Sequence, residues 1–222
     1  MVGRSRSMGS ETVAAETEAS GAPGLRERKK QRTRQALIEG ALRLFDEKGY
    51  EETTLAEIAA GAEVSTRTFF SYFASKEDVV FFDTKERLQL AVATIADRQP
   101  DETVVGMLLR VINKSFEQAA SYQDITFDNA ALRVRLILTE PALQARALHL
   151  LFDSQLHMAR ALHGAFPDRL SDTDAAAAVG ALIGGIKLSV MVSLEEERSI
   201  EDVWSIARRA SEIAISGLHT LG

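Results

Sequence analysis

The sequence predicts an all-α protein: a small three-helix helix-turn-helix unit followed by a larger helical unit, about nine helices in all. Three observations predict it. Helix start and stop signals recur along the whole chain, two of the segments they bound are very short, and no stretch shows sustained apolar–polar alternation between hairpin turns. The composition is that of a globular chain, with 222 residues, 45% hydrophobic and 26% charged. Fourteen Gly, 4 Pro and no Cys exclude collagen-like, disordered and disulfide-rich classes. Without Cys there is no thiol catalysis and no Cys-ligated zinc, and the chain suits a reducing cytoplasm. Four His (149, 157, 163 and 219) leave little material for a His-built metal site.

Residues 1–25 hold Arg4 and Arg6 among small, polar and acidic residues, with no apolar run, so they read as a flexible tail and not a signal peptide. The first helix is expected over 26–48, where Leu37, Ala41, Leu44 and Phe45 keep one face apolar and Gly49 stops it. Thr54 with Glu57 starts a helix over 54–61, and Ser65 caps another over 65–72. Ser75 with Asp78 starts one over 76–96. Pro100 and Pro141 stand where helices over 102–120 and 141–165 begin, with 124–138 between them. Ser171 with Asp174 and Ser199 with Asp202 open the last two, 172–194 and 200–219. Helices as short as 54–61 and 65–72 are marginal in water and need neighbours. The first four therefore form one unit and the long helices after Pro100 a second.

One stretch imitates a membrane span. Ala175 to Leu194 carries a single charge, Lys187, and a Gly180-x-x-x-Gly184 pair of the kind found in packed membrane helices. Asp172, Asp174 and Glu195-Glu196-Glu197 flank it, so the reading adopted is a buried helix of a soluble protein, with no membrane partner.

The charge distribution says more than the net charge of −6. Residues 26–76 hold ten basic and eight acidic side chains, whereas 77–222 hold fourteen and twenty-one. Six of the basic residues, Arg26, Arg28, Lys29, Lys30, Arg32 and Arg34, cluster at the start of the first helix, a candidate phosphate footprint. The tight turn Gly61-Ala62-Glu63-Val64 joins the two short helices into a helix-turn-helix over about 53–72. Leu55, Ile58, Ala59, Val64, Phe69 and Phe73 are its inward positions. Thr66, Arg67, Thr68, Phe70, Ser71 and Tyr72 are left to face a major groove, where Arg forks onto guanine, Thr methyls meet thymine and hydroxyls reach phosphates.

The run Thr54-Leu55-Ala56-Glu57-Ile58-Ala59, followed by Val64-Ser65-x-x-Thr68-Phe69-Phe70-x-Tyr72-Phe73-x-x-Lys76-Glu77, resembles the DNA-binding domain of the tetracycline-repressor (TetR) family, and Arg34, Ala41, Leu44, Phe45 and Gly49-Tyr50 fit the same pattern. The resemblance covers roughly 27–87; residues 100–222 match only in being helical and of the right length, and 88–222 would form a ligand-binding and dimerisation domain. It implies that Thr54 and Tyr72 contact phosphates and that Lys76 sets its ammonium against the DNA backbone. Ser65, Thr66, Arg67 and Thr68 would lie at base edges, with Arg67 reading a guanine. Phe70 stands where tyrosine is common, so one hydroxyl contact is missing. Glu63 replaces a frequent turn glycine, which implies a turn free of backbone strain.

The resemblance further implies a transcriptional regulator, not an enzyme. It would be a repressor that binds a palindromic double-stranded operator as a homodimer and is released by a small-molecule effector, with no cofactor. The dimer is expected through 172–194 and 200–219, with Gly180, Gly184 and Gly185 allowing close approach. The effector pocket is expected within 102–165, with Met107, Phe127 and Phe152 among its apolar lining and Arg133, His149, Gln155 and His157 as polar groups; Val111, Phe116, Leu136, Leu156 and Met158 are further lining candidates. The competing reading is an α-helical enzyme or metal protein with an incidental helix-turn-helix. It rests on His149, Asp153 and His157, which helical spacing puts on one face. No Gly-rich phosphate loop, nucleophile elbow or paired catalytic glutamates accompany that row.

Overall fold

A computed structural model describes residues 24–121, 127–196 and 198–218. The described residues form ten helices and no strands: α1 (Leu25–Lys48), α2 (Leu55–Gly61), α3 (Thr66–Phe69), α4 (Lys76–Val80), α5 (Thr84–Ala96), α6 (Val104–Ser121), α7 (Phe127–Thr139), α8 (Pro141–Ala165), α9 (Asp172–Glu195) and α10 (Ile200–Leu218). Residues 1–23, most of the expected tail, lie outside the described residues.

Local chemistry sets most of the ends. Gly49 adopts φ 92° and ψ 158°, a conformation essentially confined to glycine, and its N–H donates to the Phe45 carbonyl to close α1. Thr54 and Glu57 form the expected reciprocal cap on α2, and Ser171 and Asp174 form another on α9. Ser75 caps α4, Pro141 begins α8, and the Ser199 hydroxyl accepts from the Asp202 N–H at the start of α10.

Two segments differ from expectation. The helix expected over 76–96 is broken at Phe81–Asp83, because long-range arginines take the carbonyls of the broken turn. Arg34 of α1 donates to the Phe82 carbonyl at 2.6 Å, and Arg133 of α7 donates to the Val80 carbonyl at 2.8 Å. The helix expected over 65–72 is regular only as α3. At Ser71 and Tyr72 the backbone bonds tighten to i−3, and the Ser71 hydroxyl donates to the Thr68 carbonyl at 2.6 Å, competing with a regular continuation.

Two hydrophobic clusters organise the chain. The first gathers Leu37, Phe45, Ile58, Phe69 and Val79 from α1–α4 around Leu132, Leu136 and Leu143 of the α7–α8 corner. The second joins α5, α6, α8, α9 and α10 through Ile95, Met107, Leu162, Val179 and Ile215. Three ion pairs also bridge the α7–α8 corner to the first helices: Arg133–Asp83 at 2.7 Å, Arg135–Asp46 at 2.6 Å and Arg146–Asp78 at 2.9 Å. In each the cation stands on α7 or α8 and the carboxylate on α1, on α4 or in the α4–α5 break.

The expectation of a buried helix over 172–194 is met on one side only. Ala175, Ala178, Val179 and Leu182 of α9 face the second cluster, while Ala177, Ala181, Leu188 and Val192 are exposed. α9 is long and apolar enough to cross a membrane by length and composition. A helix apolar on all sides, yet covered on one, leaves an apolar face open for association.

Candidate DNA-binding surface

The short helices sit on the first cluster through Ile58, Ala59, Phe69 and Phe73, all buried, with Leu55 and Val64 half-buried beside them. This fixes the outward face. Thr66 and Arg67 are exposed on α3, and among the described residues the Arg67 guanidinium makes neither hydrogen bond nor ion pair, so its five donors are available. Ser65 accepts from the Thr68 N–H at 3.1 Å, and the two hydroxyls lie 2.9 Å apart. Phe70 is 52% exposed, its ring edge-on to Phe69, an apolar tip where a groove offers thymine methyls. Ser71 is exposed and Tyr72 half-buried at the same edge.

Thr54 is exposed at the start of α2. Its N–H and hydroxyl both donate to Glu57, at 2.9 and 2.7 Å, and Lys48 donates to the same carboxylate at 2.6 Å. The hydrogen bonds from Lys48 and then Thr54 pull the Glu57 carboxyl down to about 2. The α2 cap therefore stays charged and formed at any ordinary pH.

Three expectations need revision. Lys76 does not extend a free ammonium: it donates to the Tyr50 carbonyl at 2.7 Å and the Thr53 carbonyl at 3.2 Å, and lies 4.1 Å from the centre of the Tyr50 ring. Two carbonyls of the α1–α2 loop and an aromatic face hold it better than solvent does. Arg34 leaves the basic cluster in the same way, engaged by the Phe82 carbonyl and by Glu86 at 3.1 Å; Arg26, Arg28, Lys29, Lys30 and Arg32 remain exposed. The turn is strained: Glu63 has φ 54°, the left-handed region that costs a residue with a Cβ about 1–2 kcal/mol.

The surface thus combines a short helix seated by two phenylalanines, an uncommitted arginine at its exposed start, hydroxyls on either side and a run of cations at the head of α1. Residues 37–81 match the model of a family described as bacterial regulatory proteins, tetR family. The helix-turn-helix of this chain thus lies within a tetR-family match. The HTH-type transcriptional regulator TcmR of Streptomyces glaucescens is 60% identical over 57 residues, 26% of this chain and 25% of that protein. The HTH-type transcriptional regulator HbdR of Aromatoleum sp. (strain CIB) is 42% identical over 55 residues, 25% of this chain and 24% of that one. The matched stretch therefore spans about a quarter of the length of these relatives. SmeT, the repressor of the Stenotrophomonas maltophilia multidrug efflux pump SmeDEF, superposes with a TM-score of 0.55 at 19% identity, covering 84% of this chain and 91% of that one, so the fold is shared well beyond the matched stretch.

The expected effector residues do not converge in this chain. Met107 is fully buried in the second cluster with Val111 and Met158, while Leu136 belongs to the first. Phe152 is 57% exposed, on the same outward side of α8 as His149, Leu156 and His157. The reason is the seating of α8: it turns Leu143, Met158, Ala159 and Leu162 inward and the 149–152–156 stripe to solvent. Gln155 is half-buried; the side chain of Phe127 lies outside the described residues. His157 bonds through Nδ1 to the Asp153 carbonyl at 2.8 Å. Among the described residues no three His, Asp or Glu side chains come together as a metal site. A recess of about 770 Å³ opens elsewhere, between α1, α7 and the end of α9, lined by Leu42, Arg43, Leu132, Arg135, Leu138 and Leu194.

Arg133 is also placed differently from expectation, pairing with Asp83, which is 4% exposed. Burial pushes the Asp83 carboxyl up, but the charges of Arg133 and Arg87 with the Arg133 hydrogen bond outweigh it and hold it below the usual range. Asp83 and Asp46 carried no local sequence signal, and Asp78 stood out only as the cap partner of Ser75. Of the glycines expected at a dimer interface, a Cβ at Gly180 or Gly184 would meet nothing within 4 Å, whereas one at Gly185 would meet Ala214 of α10 at 4.0 Å. Gly185 thus packs inside the subunit, and Gly184 lies by helical spacing among the exposed Ala177, Ala181 and Leu188.

Proposed function

We propose that this chain is a sequence-specific DNA-binding transcriptional regulator, a repressor released from a palindromic operator by a small-molecule effector. The observation that carries the reading is Arg67, exposed and, among the described residues, without a partner on a helix-turn-helix that matches the tetR family. Residues 27–87 act as the DNA-binding domain and 88–222 as the effector-binding and dimerisation domain. Arg67 reads a guanine; Thr54, Ser65, Thr66, Thr68, Phe70, Ser71 and Tyr72 surround it on DNA, and Lys76 supports them by holding the α1–α2 loop. The exposed cations at the start of α1 add phosphate contacts. One helix reads too few bases for useful specificity, so two copies act together in the cytoplasm. The α9 stripe through exposed Ala181 and Leu188, with half-buried Gly184 between them, supports a symmetric pairing of α9 and α10.

An electrophoretic shift with DNA from upstream of the chain's own gene tests the reading. The full chain should retard it in the presence of excess random competitor, with affinity falling steeply as salt rises. Retardation abolished equally by random competitor would overturn it.

A further inference from the structure

Among the described residues of the helix-turn-helix, Phe70 is the large apolar side chain that solvent reaches freely. The inward positions beside it are taken by Phe69 and Phe73, both buried. The Phe70 ring stands edge-on against Phe69, centroids 5.7 Å apart and planes at 87°, which holds its tip toward solvent. The backbone keeps helical angles there, φ −64° and ψ −12°, and the Phe70 N–H donates to the Thr66 carbonyl at 3.2 Å. Phe70 therefore follows Arg67 by three helical positions and shares its face. A helix advances about 4.5 Å in three residues and a duplex about 3.4 Å per base pair, so along a groove the two tips fall about one or two base pairs apart.

The two tips call for opposite chemistry. Arg67 offers five donors, which suits a guanine edge. A phenyl ring has neither donor nor acceptor, and without a hydroxyl it cannot hydrogen-bond a phosphate. Set over an exocyclic amine, an N7 or an O6, it strips water from that group and returns no hydrogen bond. One base presents an apolar group in the major groove: thymine, through its C5-methyl.

We propose that Phe70 is a specificity-determining residue of the DNA-binding surface, selecting through its 5-methyl group a thymine about one or two base pairs from the guanine assigned to Arg67. This rests on the regulator reading above and adds a second base to each half-site. Recognition of that base then depends on one carbon atom and on no hydrogen bond. 5-Methylcytosine, which carries the same methyl, is accordingly preferred over cytosine at the same place.

Deoxyuridine removes the methyl of thymidine and leaves its hydrogen-bonding edges unchanged. Upstream DNA made with deoxyuridine throughout should bind the full chain about fifteenfold more weakly than the thymidine form. That is roughly fourfold for each of two half-sites, the worth of one buried carbon apiece. Random DNA should bind alike in both forms. Sparsely substituted fragments, cleaved at uracil after bound and free DNA are separated, should place the loss at a thymine within about two base pairs of the guanine whose preference Arg67→Ala erases. Cytosine at that thymine should weaken binding, and 5-methylcytosine should recover about fourfold per half-site. Phe70→Ala should bind both forms of upstream DNA equally, whereas Phe70→Leu, which keeps an apolar tip, should still prefer thymidine. Equal binding of the two forms by the unmodified chain, or a methyl preference that survives Phe70→Ala, overturns the assignment even where the Arg67 preference stands. Retardation of upstream and random DNA alike overturns the regulator reading, and the thymine assignment with it.

Discussion

Replacing Arg133 with methionine removes three interactions at once. Its guanidinium donates to the Val80 carbonyl at 2.8 Å, pairs with Asp83 at 2.7 Å and stacks on Phe82. Both partners of the pair are shielded, with side chains 15% and 6% exposed, so the loss is that of a buried pair, not a surface one. Leaving an uncompensated buried carboxylate costs about 3–5 kcal/mol, a large part of a typical stability of roughly 5–15 kcal/mol. Urea unfolding followed by far-UV circular dichroism should show a loss of about 3–5 kcal/mol. Adding Asp83→Asn to Arg133→Met should restore about 1–2 kcal/mol, because the stranded charge disappears. The pH dependence has a definite sign. With Asp83 held below its unfolded value of about 3.9, its contribution is present above that pH and lost as pH falls through the lower folded value. Without Arg133, burial raises the carboxyl, so lowering the pH through that raised value protonates the stranded charge and should shrink the variant's deficit relative to the unmodified chain. A loss under about 1 kcal/mol for Arg133→Met, or further damage from Asp83→Asn in that background, would refute the reasoning.

The remaining predictions concern the surface and the dimer. Arg67→Ala should weaken a cognate site by about 1–3 kcal/mol while binding to random DNA holds, as titrations of both will show. Lys76→Met frees two loop carbonyls, so it should lower stability by about 1–3 kcal/mol in urea unfolding as well as weaken DNA binding. Glu63→Gly should raise stability by about 1 kcal/mol in the same assay, through relief of the left-handed residue. Gly184→Leu adds a side chain into open space within one subunit, so sedimentation velocity should show monomers of unchanged helicity.

What the sequence made legible was local. The pairing of Thr54 with Glu57, the cap at Ser65 and the spacing of Ile58, Phe69 and Phe73 act over a few residues, and they place the helix-turn-helix without its neighbours. The break in 76–96 was not legible, since Arg34 and Arg133 reach it from 48 and 53 positions away. The same distance hid the pairs that tie α7 and α8 to the first helices. On α8, helical spacing grouped His149, Phe152 and His157 correctly on one side, but it carries no information on which side the neighbouring helices cover. Glu63 misled for a different reason: a residue with a Cβ signals, and does not guarantee, an unstrained turn.

The central claim is that α3 reads bases in duplicate across a symmetric dimer. In vitro selection from a pool of random double-stranded DNA, bound by the full chain and sequenced after several rounds, addresses it most directly. The account predicts enrichment of a palindrome whose half-sites each contain a guanine, with preference at that guanine lost for Arg67→Ala. Enrichment of no sequence, or of an asymmetric site indifferent to Arg67, would contradict it.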